Sequence, residues 1–291
     1  TTGGATNVVA GDEALSPFKI ASSYSGNDSD PAKGSATATL EGAAGKKLNV
    51  QILKQVVEAK SRKLSARWTF EAAQDAQAQQ GVDIEAEIMA ALAQEITAEI
   101  DQEILTSLRA LAGSAAAAFD QSAVSGTATF VGDEHAALAV LINQQANLIA
   151  QRTRRGAGNY AVVSSEALTV LQSATTSAFA RSTEGVFEAP TNTKFVGTLN
   201  NSMRVYVDGY AATGTDVLVG YKGPSEADAP AFYCPYIPLM SSGVVLDPST
   251  FEPVVSFLTR YGYVELSNTA SSLGNAADYL ARISMSNITF K

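Results

Sequence analysis

The 291-residue chain has one cysteine, Cys234, and one histidine, His135. A lone cysteine excludes an intramolecular disulfide, and one of each cannot build a cysteine- or histidine-rich metal site. Apolar runs are short; none reaches 18 residues, so no segment reads as a membrane-spanning helix. The opening "TTGGATNVVAGDE" lacks the basic and apolar regions of a signal peptide, and a chain that starts at Thr1 without Met points to processing or trimming. Basic residues are also scarce. With 20 Lys and Arg against 29 Asp and Glu the net charge is −9, the opposite of what a grip on phosphates needs. Contact with DNA without a grip is compatible with this balance. The nucleophile elbow GxSxG, the Walker loop and GxGxxG are all absent.

What is present is globular: 46% hydrophobic and 17% charged residues, enough for one large domain or two ordinary ones. Residues 1–17 read as an arm and 22–46 as a flexible Gly/Ser-rich loop, with an ordered piece around "PFKIAS". The loop offers only Tyr24 and Leu40 as large apolar groups, too few to offset chain entropy. Residues 47–57, "KLNVQILKQVV", alternate as a strand should. The strand-like pattern then continues through "VVEAKSRKLSARWTF" with basic side chains on both faces. One face carries Lys60, Arg62 and Leu64, the other Lys63 and Arg67. Such a strand offers its own core very little, and apolar character returns only at Trp68 and Phe70.

The strongest periodic signal begins at Asp83, an N-cap, and ends at Gly113, a C-terminal stop. Ile84, Ile88, Leu92, Ile96, Ile100, Ile104 and Leu108 recur every four residues. A 3.6-residue helix turns about 400° in four residues, so this stripe drifts about 40° per step and roughly 240° overall. A coiled-coil seam would hold one face. This helix must lean on different partners along its length. Its polar surface is acidic from Asp83 to Glu103, with no cation before Arg109. That surface is either a solvated face or one that a basic partner covers. Glu95, Glu99 and Glu103 stack at four-residue spacing, but a di-metal helix would add a histidine that the sequence lacks.

A small-residue linker (113–129) precedes a second helix capped by Asp133 and stopped near Gly156. "NYAVVSS" then reads as a buried strand, and "SSEALTVLQSAT" as a short helix opened by Ser164 or Ser165. Strand-like runs follow at "KFVGTL", "MRVYVDGY", "DVLVGYKG", "AFYCPYIPLM" and "EPVVSFLTRYGYVEL", and "DYLARISMSNITF" makes a final strand or irregular return. The fold class is α+β. His135 reads as a partly exposed surface residue and Cys234 as a buried structural thiol. Arg152, Arg154 and Arg155 at a helix C-terminus read as helix-dipole complements paired with carboxylates, ahead of the other reading, a phosphate contact. No catalytic group, cofactor site or metal site emerges.

"KQVVEAKSRKLSARWTFEAAQDAQAQQGVDIEAEI" resembles the corresponding segment of major capsid proteins of T-even-like contractile-tailed bacteriophages. So, in the same order, do "RRGAGNYAVVSS", "FYCPYIPL" and "DPSTFEPVVSFLTRYGYVE". The resemblance implies the Hong Kong 97-type capsid fold: an N-terminal arm (1–17), an extended two-stranded loop (18–66) and a peripheral domain (67–125) whose spine helix is 83–112. An axial domain (126–246) and a return to the peripheral domain (247–291) complete it. It implies trimming by a prohead protease. It also implies assembly in the host cytoplasm into hexameric capsomers of an icosahedral or elongated virion shell around double-stranded DNA, with separate vertex, portal and decoration proteins as candidate partners. In that setting Lys60, Arg62, Lys63 and Arg67 become candidates to face Glu95, Glu99 and Glu103 of a neighbouring subunit. Two other classes stay open: an encapsulin-like nanocompartment shell, and an enzyme hidden in the axial domain that would use His135 or Glu99.

Overall fold

A 28-residue helix bridges two β-sheets, and its drifting apolar stripe is the reason. The protein is described by a computed structural model over residues 34, 36–41, 54–124, 131–153, 155–174, 179–181, 194–212, 214–225, 228–266 and 276–288. The helices are α1 (Thr37–Leu40), α2 (Phe70–Gln80), α3 (Ile84–Leu111), α4 (Gln121–Val124), α5 (Val131–Thr153) and α6 (Ser165–Ser173). The strands are β1 (Lys60–Arg67), β2 (Ala117–Asp120), β3 (Tyr160–Ser164), β4 (Phe179–Arg181) and β5 (Lys194–Leu199). They continue with β6 (Met203–Asp208), β7 (Val217–Gly220), β8 (Ala231–Leu246), β9 (Pro253–Glu265) and β10 (Leu280–Ser286).

The helix read from Asp83 is α3. The Asp83 carboxylate accepts from the Glu85 amide at 3.0 Å, and Gly113 takes φ +71° just beyond the last turn. Its first half packs Ile88, Leu92, Ile96 and Ile100 against Leu64, Val255 and Phe257 of β1 and β9. Its last turns set Leu105, Leu108 and Leu111 against Val162, Leu218 and Leu280 of the other sheet. The 40° drift per step thus delivers two successive faces to two different partners.

The smaller sheet is antiparallel in the order β1-β9-β8. The larger runs β2-β10-β7-β3-β6-β5-β4, with β3 parallel to β6 and β2 parallel to β10. Its middle strands are apolar on both faces, since helices cover both. Ala161 and Val163 of β3 join the core under α5 and α6, while Val162 faces the end of α3. Of the two candidate caps, Ser164 and Ser165, it is Ser164 that opens α6 by accepting from the Ala167 amide.

Several expectations change. Residues 54–59 form no strand; β1 starts at Lys60, while 47–53 lie outside the described residues, as do the arm and most of the Gly/Ser-rich loop. Within that loop α1 forms one helical turn. Phe70–Gln80 is a helix, closed by Gly81 at φ +67°. The 113–129 linker contains β2 and α4, because β10 supplies the partner strand that "AAFD" needs. α5 begins at Val131, ahead of the expected Asp133 cap. Sheet membership also cuts across the expected segments. β8 pairs with β9 across the 246/247 boundary, while β10, part of the segment 247–291 expected to return to the peripheral domain, lies in the seven-stranded sheet.

Candidate functional site

β1 resolves the puzzle of a strand with cations on both faces. Its exposure alternates: Arg62, Leu64 and Ala66 point half-buried toward α3, and Ser61, Lys63, Ser65 and Arg67 point to solvent. A cation on the inward face needs a local counter-charge. α3 supplies it from residues one turn apart. Arg62 donates from Nη1 to Glu99 at 2.6 Å and from Nη2 to Glu103 at 2.5 Å. Its Nε donates to the Tyr261 hydroxyl at 2.6 Å, and that hydroxyl donates in turn to Glu103.

The electrostatics follow. Hydrogen bonds from Arg62, then from Tyr261, hold the Glu103 carboxyl below its ordinary range. The same carboxylate raises the Arg62 guanidinium further, with help from Tyr261. Burial, then the Glu103 carboxylate, pushes the Tyr261 phenol up. Arg62, Glu99 and Glu103, expected to meet across a subunit boundary, therefore meet inside one chain. β9 places Tyr261 beside β1 through antiparallel pairing. No sequence signal pointed to Tyr261, because register between strands about 200 positions apart is not written locally.

The other candidates stay outside this cluster. Lys60 and Lys63 are exposed, Arg67 lies 3.6 Å from Glu252 with its side chain 70% exposed, and Glu95 is exposed on α3. From Trp68 to Leu108 the chain carries nine carboxylates and no Lys or Arg. Among the described residues only Arg62 is ion-paired to any of them.

A second arginine cluster joins the far end of α3 to the large sheet. Arg109 donates to Asp208 at 3.1 Å, and Gln102 donates to the other carboxylate oxygen at 2.7 Å. Arg282 of β10 pairs with Asp216 and donates to the Gly113 and Arg109 carbonyls, which close the helix C-terminus.

His135 is not a surface residue. It is 1% exposed under α6, hydrogen-bonded through Nδ1 to Ser173 Oγ, because α6 packs across the start of α5. Cys234 is only half-buried, since β8 is an edge strand. Arg155 pairs with Asp228 as its carboxylate reading implies. Among the described residues no group of three or more His, Cys, Asp and Glu side chains could hold a metal, and no helix is long and apolar enough to cross a membrane.

Comparison with known proteins gives this geometry a family. The family model for "Major capsid protein Gp23" matches residues 2–287. The major capsid protein of Vibrio phage KVP40 is 35% identical over 257 residues, covering 80% of this chain and 49% of the relative. That of Enterobacteria phage T4 is 38% identical over 234 residues, covering 74% and 44%. The chain thus spans about half the length of the curated relatives it matches. Among solved structures, the capsid of cyanophage P-SCSP1u superimposes at TM-score 0.50 and 10% identity, over 84% of this chain and 80% of that one. The α+β architecture is of the Hong Kong 97 type, and with the family match spanning residues 2–287 the chain belongs to the Gp23 major capsid protein family.

Proposed function

We propose that the chain is a shell-forming subunit that assembles into hexameric capsomers of a virion head around double-stranded DNA. Its role is mechanical rather than catalytic. The observation that carries this reading is the family match along almost the whole chain. The geometry agrees with it: β8 is a 16-residue edge strand with Tyr236, Met240, Val245 and Leu246 exposed. A long apolar edge is a liability unless another chain covers it.

On this reading β1, β8 and β9 with α2 and α3 make the peripheral domain, and the seven-stranded sheet with α5 and α6 the axial domain. Arg62, Glu99 and Glu103 stabilise the base of the extended loop within each subunit. Lys60, Lys63, Arg67 and Glu95 remain for contacts between subunits. The acidic balance suits a wall that confines DNA without holding it.

Electron microscopy and sedimentation of the purified chain across concentration test the proposal. Closed particles with six-fold capsomers are expected. Monomers at every concentration would overturn it. Source particles without dense DNA would instead favour a cargo compartment.

A further inference from the structure

The three-stranded sheet has two faces, and among the described residues α3 covers only one. Directly opposite residues in antiparallel strands share a face. The rows on the open face are therefore Arg67–Val254–Val245, Ser65–Ser256, Lys63–Leu258–Met240 and Ser61–Arg260–Ile237. Arg67 and Lys63 put cations at the β1 end of two rows and Arg260 puts one on the middle strand, beside aliphatic side chains of β9 and β8. Lys63, Met240 and Val245 are exposed, and Val254 and Leu258 are half-buried. Arg260 stacks over Tyr236 at 5.3 Å, and its buried Nε finds no acceptor among the described residues. The face thus presents positive charge and apolar surface together, in a chain whose net charge is −9.

We propose that this face docks the acidic corner formed by α2 and the first half of α3 of a second copy. The inference rests on the reading that the chain assembles with itself. Charge complementarity selects the occupant. Glu71, Asp75, Glu85, Glu87 and Glu95 are exposed on that corner and carry no ion pair among the described residues. The dimensions agree as well. Lys63 and Arg67, four residues apart on a strand, stand about 13 Å apart. Glu87 and Glu95, eight residues apart on a helix, stand about 12 Å apart along its axis. α2 buries none of its residues in its own chain, as expected of a helix whose packing partner comes from elsewhere. The aliphatic rows favour a protein surface over a phosphate backbone, which would ask for a denser run of Lys and Arg. Donor face and acceptor face differ, so the contact is heterologous and each copy can both give and receive it.

Charge reversal with rescue tests this. Lys63→Glu/Arg67→Glu and, separately, Glu87→Lys/Glu95→Lys are followed by sedimentation over a concentration series, with circular dichroism melts to check folding. All four positions are exposed, so the monomer should fold in each variant. Each pair should raise the concentration needed for assembly about tenfold or more, because attraction becomes like-charge repulsion. The quadruple variant, with every charge swapped, should recover assembly to within about threefold of the parent. Normal assembly by either pair would overturn the proposal, as would a quadruple variant no better than its parts. Binding of a 20-base-pair DNA duplex that is lost on Lys63→Glu/Arg67→Glu, while assembly is unchanged, would reassign the face to nucleic acid. A parent chain that never associates would refute the shell reading itself, an outcome distinct from these.

Discussion

Asp208 offers the sharpest test of how α3 is tied to the large sheet. It ends β6 and is fully buried; one carboxylate oxygen accepts from Gln102 and the Tyr210 amide, the other from Arg109. Asp208→Asn keeps the volume and one carbonyl oxygen, but turns an NH₂ group toward the guanidinium. Arg109 is only 16% exposed, and its buried Nε has no acceptor among the described residues, so its charge loses its counter-ion with little solvent to replace it. Breaking a fully buried pair from one side costs about 3–5 kcal/mol. The residual exposure of Arg109 places this case at about 2–3 kcal/mol. For a chain of 291 residues that corresponds to a fall in melting temperature of about 3–5 °C. Arg109→Met alone should also destabilise, but Arg109→Met/Asp208→Asn should cost less than the sum of the two. Urea unfolding at pH 7 would read a coupling of about 1.5 kcal/mol or more. A melting point unchanged by Asp208→Asn, or a coupling below about 0.5 kcal/mol, would refute the reasoning and leave apolar packing as the tie.

Arg62→Ala should destabilise the chain by about 1–2 kcal/mol at neutral pH, since its two carboxylate partners are each more than a third exposed. The lowered Glu103 sets the pH dependence: its contribution is complete above its ordinary value of 4.5 and is lost as the pH falls through the depressed value. The gap between parent and Arg62→Ala should therefore be constant from pH 8 to about 5 and shrink below 4.5; a gap still undiminished at pH 3 would contradict the pairing. At Gly220, where an added Cβ would overlap the Tyr160 ring, Gly220→Ala should cost about 1–3 kcal/mol in urea unfolding. Tyr160→Val in the same chain should recover part of that loss. The Tyr160 phenol, pushed up to about 12 by burial, should stay un-ionised in the folded protein until strongly alkaline pH in an ultraviolet titration.

Much of the architecture was legible because its signals repeat within a few residues. Asp83, the four-residue stripe and Gly113 define α3 and even its need for two partners. "KFVGTL" is β5 from end to end, and Ser164 caps α6. The misses share a different cause. No periodicity announces α2, although Thr69 caps the helix and Gly81 stops it, because the helix has no apolar face. β2 reads as linker because four residues of "AAFD" become a strand only when β10 lies beside them. His135 looks exposed on a helix start until α6 is laid over it.

The same division separates what the chain alone determined from what its folding decided. Helix α3, the strand-forming runs, the one-signed acidic stretch and the family resemblance are properties of neighbouring residues, set by backbone propensity and side-chain spacing. The partner of Arg62 is not. The sequence offered four basic residues on β1 and three stacked glutamates on α3, and the pairing between them was expected across a subunit boundary. Only strand register against β9, which brings Tyr261 to Arg62 across 199 positions, turns Arg62 inward and closes that charge within one chain. Lys63 and Arg67, one face over, are left pointing outward because side chains alternate along a strand.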